Sequence, residues 1–168
     1  MLSPEGGVEI EARGQLPGRG AWISATRQAL DLAESKPVIV ARALDLGEAG
    51  AGLSLAGLRD RAIRLTEQKV LDLLTLGMRA GLLIMGAETV EDARKRGTVV
   101  GLIFAADTAP ATVQNVAGDG AVPAWRLPLD ANRLGALLGK GSRSVLGLRS
   151  GSVSPELLRQ LRRLEKLR

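Results

Sequence analysis

The sequence predicts an α/β protein: a three-layer α/β/α sandwich on a mixed sheet, preceded by a small α+β segment. Three observations carry that expectation. Between Leu82 and Leu148, short apolar runs of strand length alternate with stretches that are helical in spacing. The run Asp45-Leu46-Gly47-Glu48-Ala49-Gly50-Ala51-Gly52 has no sustained period and high backbone entropy, which reads as a linker. Finally, 45% of the 168 residues are hydrophobic but only 2% are aromatic, so Leu, Val, Ile and Ala must build the core. The expected organisation is a segment over 1–46, a linker over 47–54 and the α/β/α domain over 55–168.

Each element has its own signal. Val8-Glu9-Ile10-Glu11 alternates like a half-buried strand after the Gly6-Gly7 turn, and Gly14 to Gly20 is a glycine-rich loop. A helix is expected from about Ala25 to Glu34. Helical spacing resumes over Leu53 to Arg64, and Thr66 is placed to cap a second helix from Glu67 to about Ala80, closed by Gly81. Strands follow at Leu82–Met85, Val99–Ala105, Val122–Leu127 and Val145–Leu148. Helices separate them at Thr89–Arg96, Ala109–Ala117 and Asp130–Leu138. In the tail, Ser154 as N-cap, Pro155 and Glu156 open a helix to Arg168. Leu157, Leu158, Leu161, Leu164 and Leu167 form its apolar stripe, opposite Arg159, Arg162, Arg163 and Lys166.

Composition narrows the chemistry. The chain has no Cys and no His, which removes disulfides, thiolate nucleophiles, the usual zinc sets and the commonest general base at neutral pH. No Asp, Glu, Lys, Arg or Ser constellation has a catalytic spacing, so a non-enzymatic protein without cofactor is expected. The N-terminus lacks the charged and apolar regions of a signal peptide, and no run is long enough to span a bilayer. A cytoplasmic protein with no membrane partner is therefore expected. The net charge of +5 is unevenly placed: residues 133–168 hold nine basic side chains against two acids, a net of +7 that leaves −2 for the rest. Such a one-sided basic field suits either a polyanion or a solvated basic surface.

Two stretches are suited to phosphate. Gly86-Ala87-Glu88 opens a short helix that ends in Arg94-Lys95-Arg96, and backbone N–H groups at a helix start point outward towards an anion. The loop Leu138-Gly139-Lys140-Gly141-Ser142-Arg143-Ser144 combines glycines, which permit close backbone approach, with two cations. It is not an NTPase P-loop, because only three residues separate Gly135 from Gly139 and Gly141 follows the lysine. Nearer the start, Gly18-Arg19-Gly20 offers a guanidinium on a flexible backbone, and Trp22 is an aromatic face for a base. Asp107, after the central strand, is expected to cap the helix that begins near Ala109. Trp125 is expected in or near the core, and Gln114 and Asn115 in solvent.

Particular words in the chain carry two resemblances. Leu16-Pro17-Gly18-Arg19-Gly20-Ala21-Trp22-Ile23 with the helix after it resembles the signature of the bacterial YlxR family, small proteins regarded as nucleic-acid binding. The likeness covers roughly residues 2–46. Family members begin with a further segment bearing an Arg-x-Cys-like stretch and a first strand; this chain begins after it, so a truncated segment is expected.

The second resemblance, over about Glu67 to Leu148, is to the kink-turn-binding ribosomal-protein superfamily, and within it to the YlxQ-like branch. It rests on Leu76-Gly77-Met78-Arg79-Ala80-Gly81, Gly86, Ala93 to Gly97, Ala105-Ala106-Asp107, Val122-Pro123 and Leu134-Gly135 to Gly139-Lys140. It implies a fold that presents the Gly86 loop to RNA. Kink-turn readers continue there as Gly-Ala-Asn-Glu-x-x-Lys, whereas this chain keeps Gly86 and Ala87 and then has Glu88, Thr89 and Asp92. Weak binding of a standard kink-turn is expected, with Arg94, Lys95, Arg96, Lys140 and Arg143 taking over backbone contacts.

The resulting expectation is an RNA-binding protein that holds structured RNA, ribosomal or other non-coding, mainly through phosphate. It would be linked to ribosome, translation or transcription machinery, with proteins of that machinery as further partners. The expected RNA-binding residues are Arg19, Trp22, Gly86, Ala87, Glu88, Arg94, Lys95, Arg96, Gly139, Lys140, Gly141 and Arg143. The alternatives are a protein-binding adaptor that uses the leucine face of the last helix or the Gly18-Arg19-Gly20 loop, and an accessory RNA-recruiting domain of a modifying enzyme.

Overall fold

A computed structural model describes residue 10 and residues 20–168. The expected strand around Val8–Glu11, apart from Ile10, and the loop residues through Arg19 lie outside the described residues. The chain divides into two compact units, Met1–Glu67 with Arg162–Arg168, and Gln68–Leu161.

The described part of the first unit is helical. Helix α1 (Arg27–Ser35) is capped by Thr26, whose hydroxyl accepts from the Ala29 N–H at 3.3 Å. Helix α2 (Pro37–Ala43) follows, with proline in its first turn where a missing N–H costs nothing. The stretch expected to be a linker contains a 3-10 helix over Gly47–Gly52. Leu30, Ala33, Val40, Leu44, Leu55, Leu58, Ala62 and Leu167 form this unit's core. Arg59 binds α1 twice, its backbone N–H to Glu34 Oε1 at 2.7 Å and its guanidinium to Asp31 Oδ1 at 2.8 Å.

Helix α3 runs unbroken from Leu58 to Arg79, which corrects the expected break at Thr66. Thr66 is buried inside the helix, and its hydroxyl donates to the Ala62 carbonyl at 2.8 Å. That bond to the carbonyl four residues back satisfies the hydroxyl without ending the helix. Gly81, at φ 68°, stops α3 as expected.

In the second unit, β1 (Leu83–Met85), α4 (Ala87–Lys95), β2 (Val99–Phe104), α5 (Pro110–Ala117), β3 (Ala124–Arg126), α6 (Ala131–Leu137) and β4 (Val145–Arg149) reproduce the expected alternation with trimmed ends. The sheet order is β1-β4-β2-β3; β4 is antiparallel to β1 and β2, and β3 is parallel to β2. Strand residues alternate between two cores, as a period of two requires. Leu83, Ile103, Leu146 and Leu148 pack with Val70, Leu73 and Leu74 of α3, Leu134 of α6, and Leu157 and Leu161 of α7 (Ser154–Leu167). On the other face Ile84, Leu102, Phe104 and Val145 pack with Val90 and Ala93 of α4 and Val116 of α5. The result is an α/β/α sandwich on a mixed sheet.

Helix α7 corrects another cap. Ser154 lies within the helix and its hydroxyl donates to the Arg149 carbonyl, so it serves the preceding strand end. Leu157, Leu161, Leu164 and Leu167 are buried and Leu158 is partly buried against the core, so the leucine stripe faces inward.

The topology sets two rims. The ends of β1, β2 and β3 and the start of β4 share one; the starts of β1 and β2 and the end of β4 share the other.

Candidate nucleic-acid interface

The first rim brings together the two stretches suited to phosphate. Gly86 sits between β1 and α4 at φ 97°, ψ 139°, a conformation that a side chain disfavours. Its N–H donates to the Val145 carbonyl at 3.1 Å and its carbonyl accepts from the Val90 N–H at 2.9 Å. The Gly86 turn is therefore fastened directly to the start of β4, where the Lys140 loop ends. No side chain caps α4. Its first-turn N–H groups have no partner within the helix and favour negative charge outside it. Ala87 is partly buried there, while Glu88 and Thr89 are exposed.

The loop from Gly139 to Ser144 lies across α6. A Cβ on the buried Gly135 would collide with the carbonyl oxygen of Gly141, so glycine is what lets loop and helix meet. The Lys140 N–H donates to Gly135 O at 2.9 Å and the Arg143 N–H to Ala131 O at 2.8 Å. Ser144 O accepts from the Ala105 N–H at 2.9 Å and from the Thr108 hydroxyl at 2.9 Å. The backbone is thus held from both sides while the side chains stay available. Gly139, Lys140 and Gly141 are exposed, and Arg143 is partly so. One Arg143 nitrogen donates to Ser142 O at 2.8 Å, and among the described residues neither Lys140 nor Arg143 has an ion pair.

Two carboxylates of this rim, Asp107 and Asp130, are engaged in capping, while Glu88 is exposed in the first turn of α4. Asp107 Oδ1 accepts from the Ala131 N–H at 2.9 Å and Asp130 Oδ1 from the Arg133 N–H at 2.7 Å. Asp107 therefore caps α6, which corrects the expected role at α5; Ala109 occupies the cap position of α5 and provides no side-chain bond. Arg126 also belongs here and was not singled out by any motif. Its guanidinium donates to the carbonyls of Ala106 at 2.8 Å and Thr108 at 3.1 Å, bracing the turn after β2. Only the parallel pairing of β3 with β2 places it there, and no local sequence signal does.

The basic end of α4 lies at the other rim, about 13 Å along the helix by its rise per residue. Arg94, Lys95 and Arg96 are consequently separated from Lys140 and Arg143. Arg94 is 15% exposed and pairs with Asp119 at 3.5 Å, its guanidinium occupying the space beside Gly118. Lys95 pairs with Glu91 at 2.6 Å. The Lys95 hydrogen bond is the main cause holding the Glu91 carboxyl below its ordinary value, followed by the charge of the same lysine. Arg96 is exposed and makes no ion pair among the described residues. Trp22, in the first unit, is 91% exposed, and Arg19 lies outside the described residues. Trp125 is partly buried against the core, and Gln114 and Asn115 are exposed, as expected.

With this geometry in place, solved structures give a comparison. A Bacillus halodurans protein of unknown function matches with a TM-score of 0.51 and 29% identity, covering 56% of this chain and 97% of that one. The Giardia lamblia 15.5kD RNA binding protein matches with a TM-score of 0.51 and 19% identity, covering 61% of this chain and 90% of that one. The chain is similar to both in fold. No protein-family model matches it, and no curated protein does at a significant level. Among the described residues no helix is long and apolar enough to cross a membrane, and no group of three or more acidic, His or Cys residues could hold a metal ion.

Proposed function

We propose that this chain is a non-enzymatic RNA-binding protein that grips structured RNA by its phosphates at the first rim of the sheet. One observation carries the reading: the uncapped start of α4 at Gly86 and the Lys140–Arg143 loop meet at one rim, through the Gly86 N–H bond to Val145. Two cations with no ion pair among the described residues share this rim with backbone donors, a combination suited to phosphate oxygens. The similarity in fold to an RNA binding protein supports the same reading.

The sequence words from Leu76 to Lys140 support placing residues 55–168 with the kink-turn superfamily and its YlxQ-like branch. Those from Leu16 to Ile23 support a YlxR-like segment over 1–46, in which Arg19 and Trp22 add contacts. Glu88, Thr89 and Asp92 stand where kink-turn readers carry amide, carboxylate and lysine. Phosphate contact therefore outweighs base reading, and partners are sought among ribosomal or other structured RNAs of the translation and transcription machinery, within the cytoplasm.

The test is a salt titration of the full chain with a kink-turn RNA and a plain stem-loop RNA. K140Q/R143Q should weaken binding to both alike and lower the slope of log affinity against log salt by roughly one for each phosphate no longer neutralised. Salt-insensitive binding, or no binding to either RNA, removes the proposal.

A further inference from the structure

The second rim of the sheet carries a feature that the reading above does not use. Arg79 lies in the last turn of α3, three residues before Leu82; Arg96 follows α4, three residues before Val99; Arg149 ends β4. The sheet brings the segments that carry them to one rim, Arg79 on the face covered by α3 and Arg96 on the face covered by α4. Arg149 pairs in register with Val99, and its N–H donates to the Leu82 carbonyl at 2.8 Å. The start of β1, the end of β4 and the start of β2 are consecutive across the sheet, so their backbones fall within about 10 Å of one another. All three arginines are exposed, and none makes an ion pair among the described residues.

We propose that Arg79, Arg96 and Arg149 form a second phosphate-binding surface, which takes the sugar-phosphate backbone of another RNA segment. The inference rests on the RNA-binding reading above. The fold explains part of this charge but not all of it. Cations favour helix C-termini, which accounts for Arg79 and Arg96. Arg149 ends a strand, has no helix end to neutralise, and follows four buried residues into solvent.

The acids on the elements around it are largely committed. Glu91 is bound by Lys95, Asp119 by Arg94, and Glu156 by Gln160 and Arg159. Asp92, exposed one turn before Arg96, is the carboxylate that opposes an anion here. A guanidinium fork suits phosphate in a way that a solvated ammonium does not. The length of β2 separates the rims by about 20 Å. A phosphate seated on Gly86 and Lys140 is about 20 Å from this surface, so the unit would hold two separate RNA segments, supplied by two molecules when the RNA is short.

The experiment uses the full chain and a short stem-loop RNA, read by native mass spectrometry at low salt and by the salt slope of affinity. Wild type should carry two RNAs. R79Q/R96Q/R149Q should carry one and lose up to about three units of summed salt slope, while R79K/R96K/R149K, which keeps the charge, should carry two. K36Q/R42Q/R64Q removes three charges elsewhere and serves as the charge control. The proposal is overturned if R79Q/R96Q/R149Q keeps two RNAs, or if it loses no more than the control. Either result leaves the first rim standing provided K140Q/R143Q is impaired. Failure of wild type to bind any stem-loop overturns both readings together.

Discussion

The two rims of one sheet hold their cations differently. At the first, Lys140 and Arg143 stand on a loop whose backbone is bonded to α6 and to the turn after β2, at the rim where the first-turn N–H groups of α4 have no partner within the helix. At the second, Arg79, Arg96 and Arg149 stand at the ends of regular elements, where the turns at Gly81 and Gly97 bond their N–H groups back to the preceding helices. Equal charge therefore does not mean equal specificity. On the proposed reading, the first rim would orient a phosphate through fixed N–H groups as well as attract it, whereas the second would offer attraction and guanidinium geometry. Breaking the backbone should harm the first rim selectively, and removing charge should harm both.

The largest effect is expected from Gly135→Ala. The added methyl meets a backbone carbonyl that cannot rotate away, so either α6 or the 139–143 loop must shift. Overpacking of this kind costs roughly 1–3 kcal/mol, against up to about 1 kcal/mol gained from helix propensity. Thermal unfolding should show a net loss of stability. RNA affinity at the first rim should fall although no cation has changed, and the R79Q/R96Q/R149Q background should show the same fold-loss. An unaltered affinity would mean that charge alone makes the first rim work, and the contrast between rims would disappear.

Next in size is Asp107→Ala. Asp107 and Asp130 both accept from the first turn of α6, so removing one leaves the Ala131 N–H without its partner. Loss of a cap costs about 0.5–2 kcal/mol. Hydrogen exchange should quicken at Ala131 and through the neighbouring loop, because the Arg143 N–H is bonded to Ala131 O. The second rim should be untouched. Protection factors that fall evenly across the unit would show that the loop is not separately supported.

What the sequence made legible, and what it did not, follows the same division between local and long-range causes. The strand and helix alternation from Leu82 to Leu148 and the Gly81 stop are written within a few residues, and each appears in place. Thr66 misled because a β-branched hydroxyl before a charged helical turn looks like a cap from nearby. Only its burial, and the bond back to Ala62, show that the helix passes through it. Asp107 misled because its actual donor is 24 residues away, on the helix after β3, beyond the turn it was expected to cap. Arg126 and Arg149 acquire meaning only through strand order, which pairs β4 between β1 and β2 and puts β3 at the edge. The Arg94-Lys95-Arg96 run was visible as a basic stretch, but its distance from Lys140 depends on the direction in which α4 crosses the sheet.

The smallest expected effect is the most discriminating about what the first rim was shaped for. Glu88 is exposed in the first turn of α4, where its charge faces the partial positive end of the helix. Such a residue contributes about 0.3–1 kcal/mol to stability and occupies the field that a phosphate would use. Glu88→Gln should therefore move two quantities in opposite directions. Stability should fall by a few tenths of a kcal/mol. RNA affinity should rise about two- to fivefold at low salt, a gain that shrinks as screening increases, since one unit charge at about 4 Å in water is worth only about 1 kcal/mol. The gain should vanish in K140Q/R143Q if phosphate enters between the helix start and the loop, and persist there if the RNA approaches from elsewhere. Denaturant midpoints and anisotropy titrations of the four combinations would measure that coupling directly. Additive effects of Glu88 and the loop cations would separate the two halves of the first rim, whereas a coupled effect would make them one site.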